Sequence, residues 1–226
     1  MTGWWVHDAF ANGGPFQVVS WIFWVLLSIT LHELAHGLAA LWEGDTTPRD
    51  LGRMTANPYV HMGGLSLIVF AILGFAWGMM PVNPSRFRHR RWGDAIVAGA
   101  GPAMNILIAF VCLTTVGIWQ GVAPTPVLEQ VEIEWQTRVQ SFLILGGWLN
   151  LVLCLLNLIP VPPLDGSRIL ASCSWKIREL YRHPQAQLFG LFLFLVIFMG
   201  GIADGALGGT LMGAYRYVAA VANLFS

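Results

Sequence analysis

His32-Glu33-Leu34-Ala35-His36 puts two imidazoles and a carboxylate into five consecutive residues of an apolar run from Val18 to Trp42. On an α-helix His32 and His36 stand one turn apart on the same face, close enough to share one metal ion. Glu33 lies about 100° round from His32 and about 60° from His36. From there its carboxylate can take a proton from a water held by the metal. Two neutral imidazoles, a carboxylate base and an open coordination position are the parts of a zinc hydrolase. The plainer alternative is a buried helix whose polar residues pair with one another. Three ionisable groups on one membrane helix are costly, and that cost favours function.

A catalytic zinc takes three protein ligands. Asp165 is the best remaining candidate, because it follows an apolar span on a turn stiffened by Pro160, Pro162 and Pro163. Asp165 followed by Gly-Ser-Arg-Ile-Leu also reads as an ordinary helix N-cap. His61 opens an apolar segment and suits either a group behind the ligands or a plain interfacial residue. His89 sits among arginines, which disfavour a cation. Asp94 and Asp204 lie at span ends and read as caps or water-facing groups, and His7 and His183 as exposed residues. Asn57, Asn105 and Asn157 have two readings. Each can satisfy the freed backbone or oxyanion of a bound peptide, or each can bond between helices.

The elements that must position these residues are membrane spans. The chain has 226 residues, 56% hydrophobic and 11% charged, where soluble domains carry about 25% charged residues. The fold class is therefore an all-α integral membrane protein, a multi-span helix bundle. Net charge is zero, which gives no nucleic-acid footprint. Cys112, Cys154 and Cys173 form no C-x-x-C, so neither a disulfide framework nor a thiolate zinc site is indicated. No basic n-region of a signal peptide precedes Phe16. Trp4 and Trp5 suit a membrane interface, and Asn12-Gly13-Gly14-Pro15 breaks the chain. Spans are expected at 16–42, 92–120 and 138–159, with an acidic link at 121–137 carrying Glu129, Glu132 and Glu134. An apolar, Gly-containing segment runs over 61–80 and ends at Pro81-Val82-Asn83-Pro84. The Arg86–Arg91 cluster beside it reads as a topology signal. Two further apolar segments, 188–202 and 206–225, close the chain.

With these motifs assembled, the sequence resembles the site-2 protease family of intramembrane zinc metalloproteases, peptidase family M50. His32-Glu33-Leu34-Ala35-His36 carries the resemblance together with Asn157-Leu158-Ile159-Pro160 leading to Leu164-Asp165-Gly166. Gly101-Pro102-Ala103-Met104-Asn105 resembles the family's G-P-x-x-N element. Gly52-Arg53-Met54-Thr55-Ala56-Asn57-Pro58 and Pro81-Val82-Asn83-Pro84 resemble a compact bacterial and archaeal branch. The resemblance covers residues 20–170. It implies one Zn2+ per chain held by His32, His36 and Asp165, with Glu33 as general base. It also implies a single membrane-embedded protease domain over 1–226, with a core at 16–170, an apolar pair at 186–226 and no PDZ or CBS domain. Met62 departs from the branch, which often has Asp there.

Topology gives an independent constraint. Both histidines and Asp165 lie at the C-terminal ends of their spans, so sharing one metal requires those spans to be parallel. Segment 61–80 should then re-enter rather than cross, held by protein. Arg86–Arg91 and the basic stretch 167–183 then share one side, which the positive-inside rule makes cytoplasmic. The N-terminus is outside, and the metal lies toward the cytoplasmic half of a prokaryotic cell membrane. The expected function is cleavage of a transmembrane protein substrate within the lipid bilayer, as in regulated intramembrane proteolysis. A non-catalytic protein with a structural or vestigial zinc site is the alternative, and retained Glu33 argues against it. A metal transporter ranks lower, because no His-rich loop or inverted repeat is evident.

Overall fold

The computed structural model describes residues 5–122, 130–199 and 202–226. Trp4, Glu129 with the rest of 123–129, and the side chains of Glu132 and Asp204 lie outside the described residues. The described residues are mostly helical, with no strand among them. In order they form α1 (Trp5–Glu43), α2 (Thr47–Asp50), α3 (Pro58–Leu73), a short 3-10 turn (Pro84–Arg86) and α4 (Gly93–Val122). Then come α5 (Gln130–Leu158), α6 (Asp165–Cys173), α7 (Trp175–Arg182), α8 (Pro184–Met199) and α9 (Ile202–Phe225).

Three stretches among the described residues are long and apolar enough to cross a membrane: Gly13–Glu43, Gly93–Val122 and Glu134–Leu158. The first starts at the expected breaker. Gly14 takes φ 64°, a left-handed backbone that favours glycine, and Pro15 then opens the long run. The third starts earlier than the sequence suggested. Residues 130–137 belong to α5 and not to a loop, and Glu134 pairs with Arg138 one turn on, a contact that supports helix. The terminal segments are α8 and α9, displaced by up to four residues from expectation, and neither is among the three spanning helices.

Side-chain pairs give the helix directions. His32 meets Asn105 and His36 meets Val97, so α1 and α4 are antiparallel. Trp24 bonds the Phe142 carbonyl and Ser28 bonds Asn150, so α1 and α5 are parallel. The bundle thus meets the requirement that both ligand-bearing ends lie together. Trp24, Val25, Ile29, Met62, Phe70, Cys112, Leu145 and Leu149 form the main apolar core among α1, α3, α4 and α5. α9 packs on α4 at Gly117 and Gly121, where an added Cβ would strike Val221 and the Ala222 carbonyl. Such small residues let two backbones approach closely.

Segment 58–83 is a hairpin. Asn57 caps α3 by accepting from the Tyr59 amide, and the helix ends at Gly74 with φ 75°. The chain then returns extended alongside it. The Trp77 amide donates to Ser66 Oγ at 2.9 Å, and the Met79 amide donates to the His61 carbonyl at 3.0 Å. It closes at the end of α1, where the Asn83 amide donates to buried Asp45 at 2.6 Å and the His89 amide to buried Glu43 at 2.9 Å. The hairpin therefore departs from and returns to one end of the bundle.

Candidate metal centre

His32 and His36 face one another across one turn of α1, with Nε2 atoms 3.0 Å apart. Asp165 Oδ2 completes a triangle, 3.1 Å from His32 Nε2 and 3.2 Å from His36 Nε2. All three side chains are buried. Asp165 arrives there because α5 stops at Leu158 and three prolines force an irregular turn. Gly166 packs against the Leu158 and Ile159 carbonyls, leaving no room for a Cβ. Arg168 bonds Asp94 at 2.6 Å and ties α6 to the start of α4. The N-cap reading of Asp165 is corrected by this geometry. Leu164 occupies the cap position and Asp165 is the first helical residue, with its carboxylate turned to the histidines.

The imidazole nitrogens behind the triangle are held. His36 Nδ1 donates to the Val97 carbonyl at 2.7 Å, and His32 Nδ1 stands 2.6 Å from Asn105 Oδ1. With hydrogen on each Nδ1, both Nε2 atoms present lone pairs to a carboxylate oxygen. Three acceptors at this separation need a cation between them. Ligands about 2.0–2.1 Å from a tetrahedral zinc stand about 3.3 Å apart, close to the observed triangle. Gly101 supplies the space beside it. A Cβ there would collide with Nε2 of both histidines. The donor set and this cradle fit a metal ion, and His32, His36 and Asp165 are the described residues that could hold one.

Glu33 is buried beside this triangle, and with His32 it lines a cavity of about 840 Å3. The cavity lies between α1, the returning limb of the hairpin and α5, with Trp21, Trp77, Trp148 and Leu153 among its walls. Gly78 is packed directly on the Glu33 side chain. A Cβ there would lie 2.6 Å from both Cγ and Oε1 of Glu33 and 2.8 Å from Ile29. Gly78→Ala is therefore expected to push the carboxylate aside. A displacement of about 1 Å can cost about 100-fold in rate. Assays should find cleavage reduced by that order with zinc content unchanged, whereas unchanged cleavage would count against this contact.

The other sequence candidates separate. Asn157 lines the cavity, with Nδ2 donating to the Leu153 carbonyl at 2.9 Å. Asn105 is fully buried behind His32, bonded to it and to Asn150, so it serves between helices and not in the cavity. Asn57 is exposed and caps α3, outside the centre. His61 is buried, with Nε2 donating to the Thr55 carbonyl at 2.6 Å and Nδ1 without a partner among the described residues. His89 pairs with Glu43 and Asp94 with Arg168. Sequence reasoning gave no role to Gly78 or Asn150. The second carried a signal, as a lone amide in an apolar run two turns before Asn157.

The comparisons point to a zinc metalloprotease family. The model of peptidase family M50 matches residues 20–201. The chain is 34% identical over 187 residues to "Putative zinc metalloprotease YwhC" of Bacillus subtilis (strain 168), covering 82% of this chain and 80% of that one. It is 32% identical over 168 residues to "Putative zinc metalloprotease sll0528" of Synechocystis, covering 74% of this chain and 35% of that one. It is 30% identical over 149 residues to "Putative zinc metalloprotease Rip2" of Mycolicibacterium smegmatis, covering 62% and 52%. No solved structure matches. A family match that spans both halves of the His32–His36–Asp165 triangle, on a bundle of membrane-length helices, means that the chain belongs to peptidase family M50, the site-2 protease family of zinc metalloproteases.

Proposed function

We propose that this protein is a zinc endopeptidase that cuts a transmembrane segment of another membrane protein. The observation that carries the reading is a buried ligand triangle and carboxylate opening onto a largely apolar cavity between membrane-length helices. His32, His36 and Asp165 would hold the zinc, which when bound acidifies water and polarises a carbonyl. Glu33 takes the proton of the attacking water and passes it to the leaving amide nitrogen. Apolar walls from α1, the hairpin and α5 exclude bulk water and strengthen each polar contact inside. Asn157 keeps its carbonyl oxygen and one N–H for substrate backbone that unwinding leaves unpaired.

Residues 16–170 act as the catalytic core, on which α9 packs through α4 and α5; the apolar pair 186–226 completes the domain. The hairpin at 58–83 re-enters the bilayer without crossing it. The Arg168–Asp94 pair holds the basic α6–α7 stretch beside the end of α4 that follows Arg86–Arg91. That shared basic end supports a cytoplasmic position for the zinc in a prokaryotic membrane.

The test locates the cut. New protein termini are mapped in membranes from cells carrying the wild type and from cells carrying Glu33→Gln. Termini inside or at the edge of transmembrane segments, present with the wild type and lost with the variant, are expected. Glu33-dependent termini confined to soluble segments would overturn the intramembrane reading.

A further inference from the structure

A chain of amides runs away from the centre through three helices. Asn105 Nδ2 on α4 donates to Asn150 Oδ1 on α5 at 2.7 Å. Asn150 Nδ2 donates to Ser28 Oγ on α1 at 2.8 Å and to the Gly146 carbonyl at 2.8 Å. Asn105, Asn150 and Ser28 are all fully buried. An amide side chain can be turned either way, and its neighbours decide which. Here the decision starts at a group that cannot turn. The Gly146 carbonyl accepts and never donates, so the Asn150 NH2 must face it. The Asn150 oxygen then faces Asn105 and requires a donor there. That turns the Asn105 oxygen to His32, where it accepts from Nδ1–H. Nε2 is left with its lone pair toward Asp165 and His36.

We propose that Asn150 is a positioning residue of the metal centre, acting through Asn105 to hold His32 in the Nδ1–H tautomer that ligation needs. The proposal rests on the metal-centre reading above. Neutral His32 has two tautomers, and the wrong one points a hydrogen at the metal position. Groups behind a metal ligand typically change metal affinity by about 10–100-fold when removed. Asn150 touches neither the ligand triangle nor the cavity, and of its side-chain partners Asn105 and Ser28 only Asn105 bonds a metal ligand.

The experiment compares zinc affinity, by chelator competition, in the detergent-purified full chain and in Asn150→Leu and Asn150→Asp. Leu matches the shape of Asn and suits a membrane bundle, but it removes the oxygen that orders Asn105. Asp keeps that oxygen and, protonated in this buried setting, can donate to Gly146 as the amide does. The expected result is a loss of about tenfold or more in Asn150→Leu and less than about threefold in Asn150→Asp. The d–d spectrum of the cobalt-substituted protein should shift in the Leu variant alone. Adding Asn150→Leu to Asn105→Ala should lower affinity no further, because the two act in series. Equal affinities in all three proteins would overturn the proposal. So would equal losses in Leu and Asp, which would make Asn150 a packing residue. Wild type that takes up one zinc and loses it in Asp165→Ala establishes the centre separately, so these outcomes then count against Asn150 alone. If Asn150→Leu does not assemble, Asn150→Ala, which also removes that oxygen, takes its place alone and with Asn105→Ala: a loss of about tenfold in the single variant and none beyond Asn105→Ala in the double is expected, and a further loss in the double overturns the series.

Discussion

Gly101→Ala is expected to strip the protein of zinc while leaving the bundle folded. The α4 backbone comes so close to the triangle that one methyl group would touch Nε2 of both His32 and His36. A methyl group there competes for the lone pairs that a shared cation would need. The imidazoles cannot retreat, because His32 is bonded to Asn105 and His36 to the Val97 carbonyl. Ala also favours helix over Gly by about 1 kcal/mol, so α4 itself gains. Metal analysis of the purified variant should find less than about a tenth of the wild-type zinc, with cleavage lost in proportion. The metal-free variant should still fold, with thermal unfolding at or somewhat below the wild-type temperature, because the methyl–imidazole overlap offsets the helix gain. Gly99→Ala is the control, since a Cβ there meets nothing within 4 Å. Full zinc occupancy in Gly101→Ala would mean that the metal is not shared between the two Nε2 atoms.

This variant also shows which parts of the site a sequence can express. The one-turn spacing of His32 and His36 is a local relation, and helix geometry alone brings the two rings together. Asp165 is 133 positions from His32 in the chain, and local signals left it divided between ligand and N-cap. The family motif pointed to the ligand role, and the parallel packing of α1 and α5 delivers it there. One part of the topology was legible for the same reason: the shared ligands required α1 and α5 to run parallel, and they do. The bonds Trp77–Ser66 and Met79–His61 turn the chain back beside α3, and its re-entry into the bilayer belongs to the proposed function. What stayed hidden depends on a third element's position. Gly101 and Gly78 are two glycines among 25; the G-P-x-x-N element marked Gly101 without saying that it faces two imidazoles, and nothing near Gly78 says that it faces a carboxylate. The three asparagines were read alike, yet packing separates them into a cap, a partner of His32 and a cavity wall. The start of α5 was misplaced because Glu132 and Glu134 look like loop, whereas Glu134 makes an (i, i+4) pair that a helix exploits.

Glu33→Gln is expected to abolish cleavage with the metal still bound. Gln preserves the shape and one carbonyl oxygen but cannot accept the proton of the attacking water at neutral pH. General base catalysis contributes about 10²–10⁴-fold, and no other carboxylate among the described residues lies with His32 on the cavity wall. A fall of about 10³-fold in turnover corresponds to about 4 kcal/mol of barrier. Zinc stoichiometry should be unchanged, because Glu33 is not one of the three converging ligands. Three variants then separate three properties. Glu33→Gln removes the base and leaves its position. Gly78→Ala leaves the base and moves it, so cleavage falls less steeply at the same zinc content. Gly101→Ala leaves both and removes the metal. A variant that keeps zinc and loses cleavage is what a catalytic centre predicts. A structural zinc site predicts no loss of function in Glu33→Gln, since such a site gains nothing from a neighbouring base. Cleavage that survives in Glu33→Gln at more than about a tenth of the wild-type rate would place the proton on another group and send the search to His61.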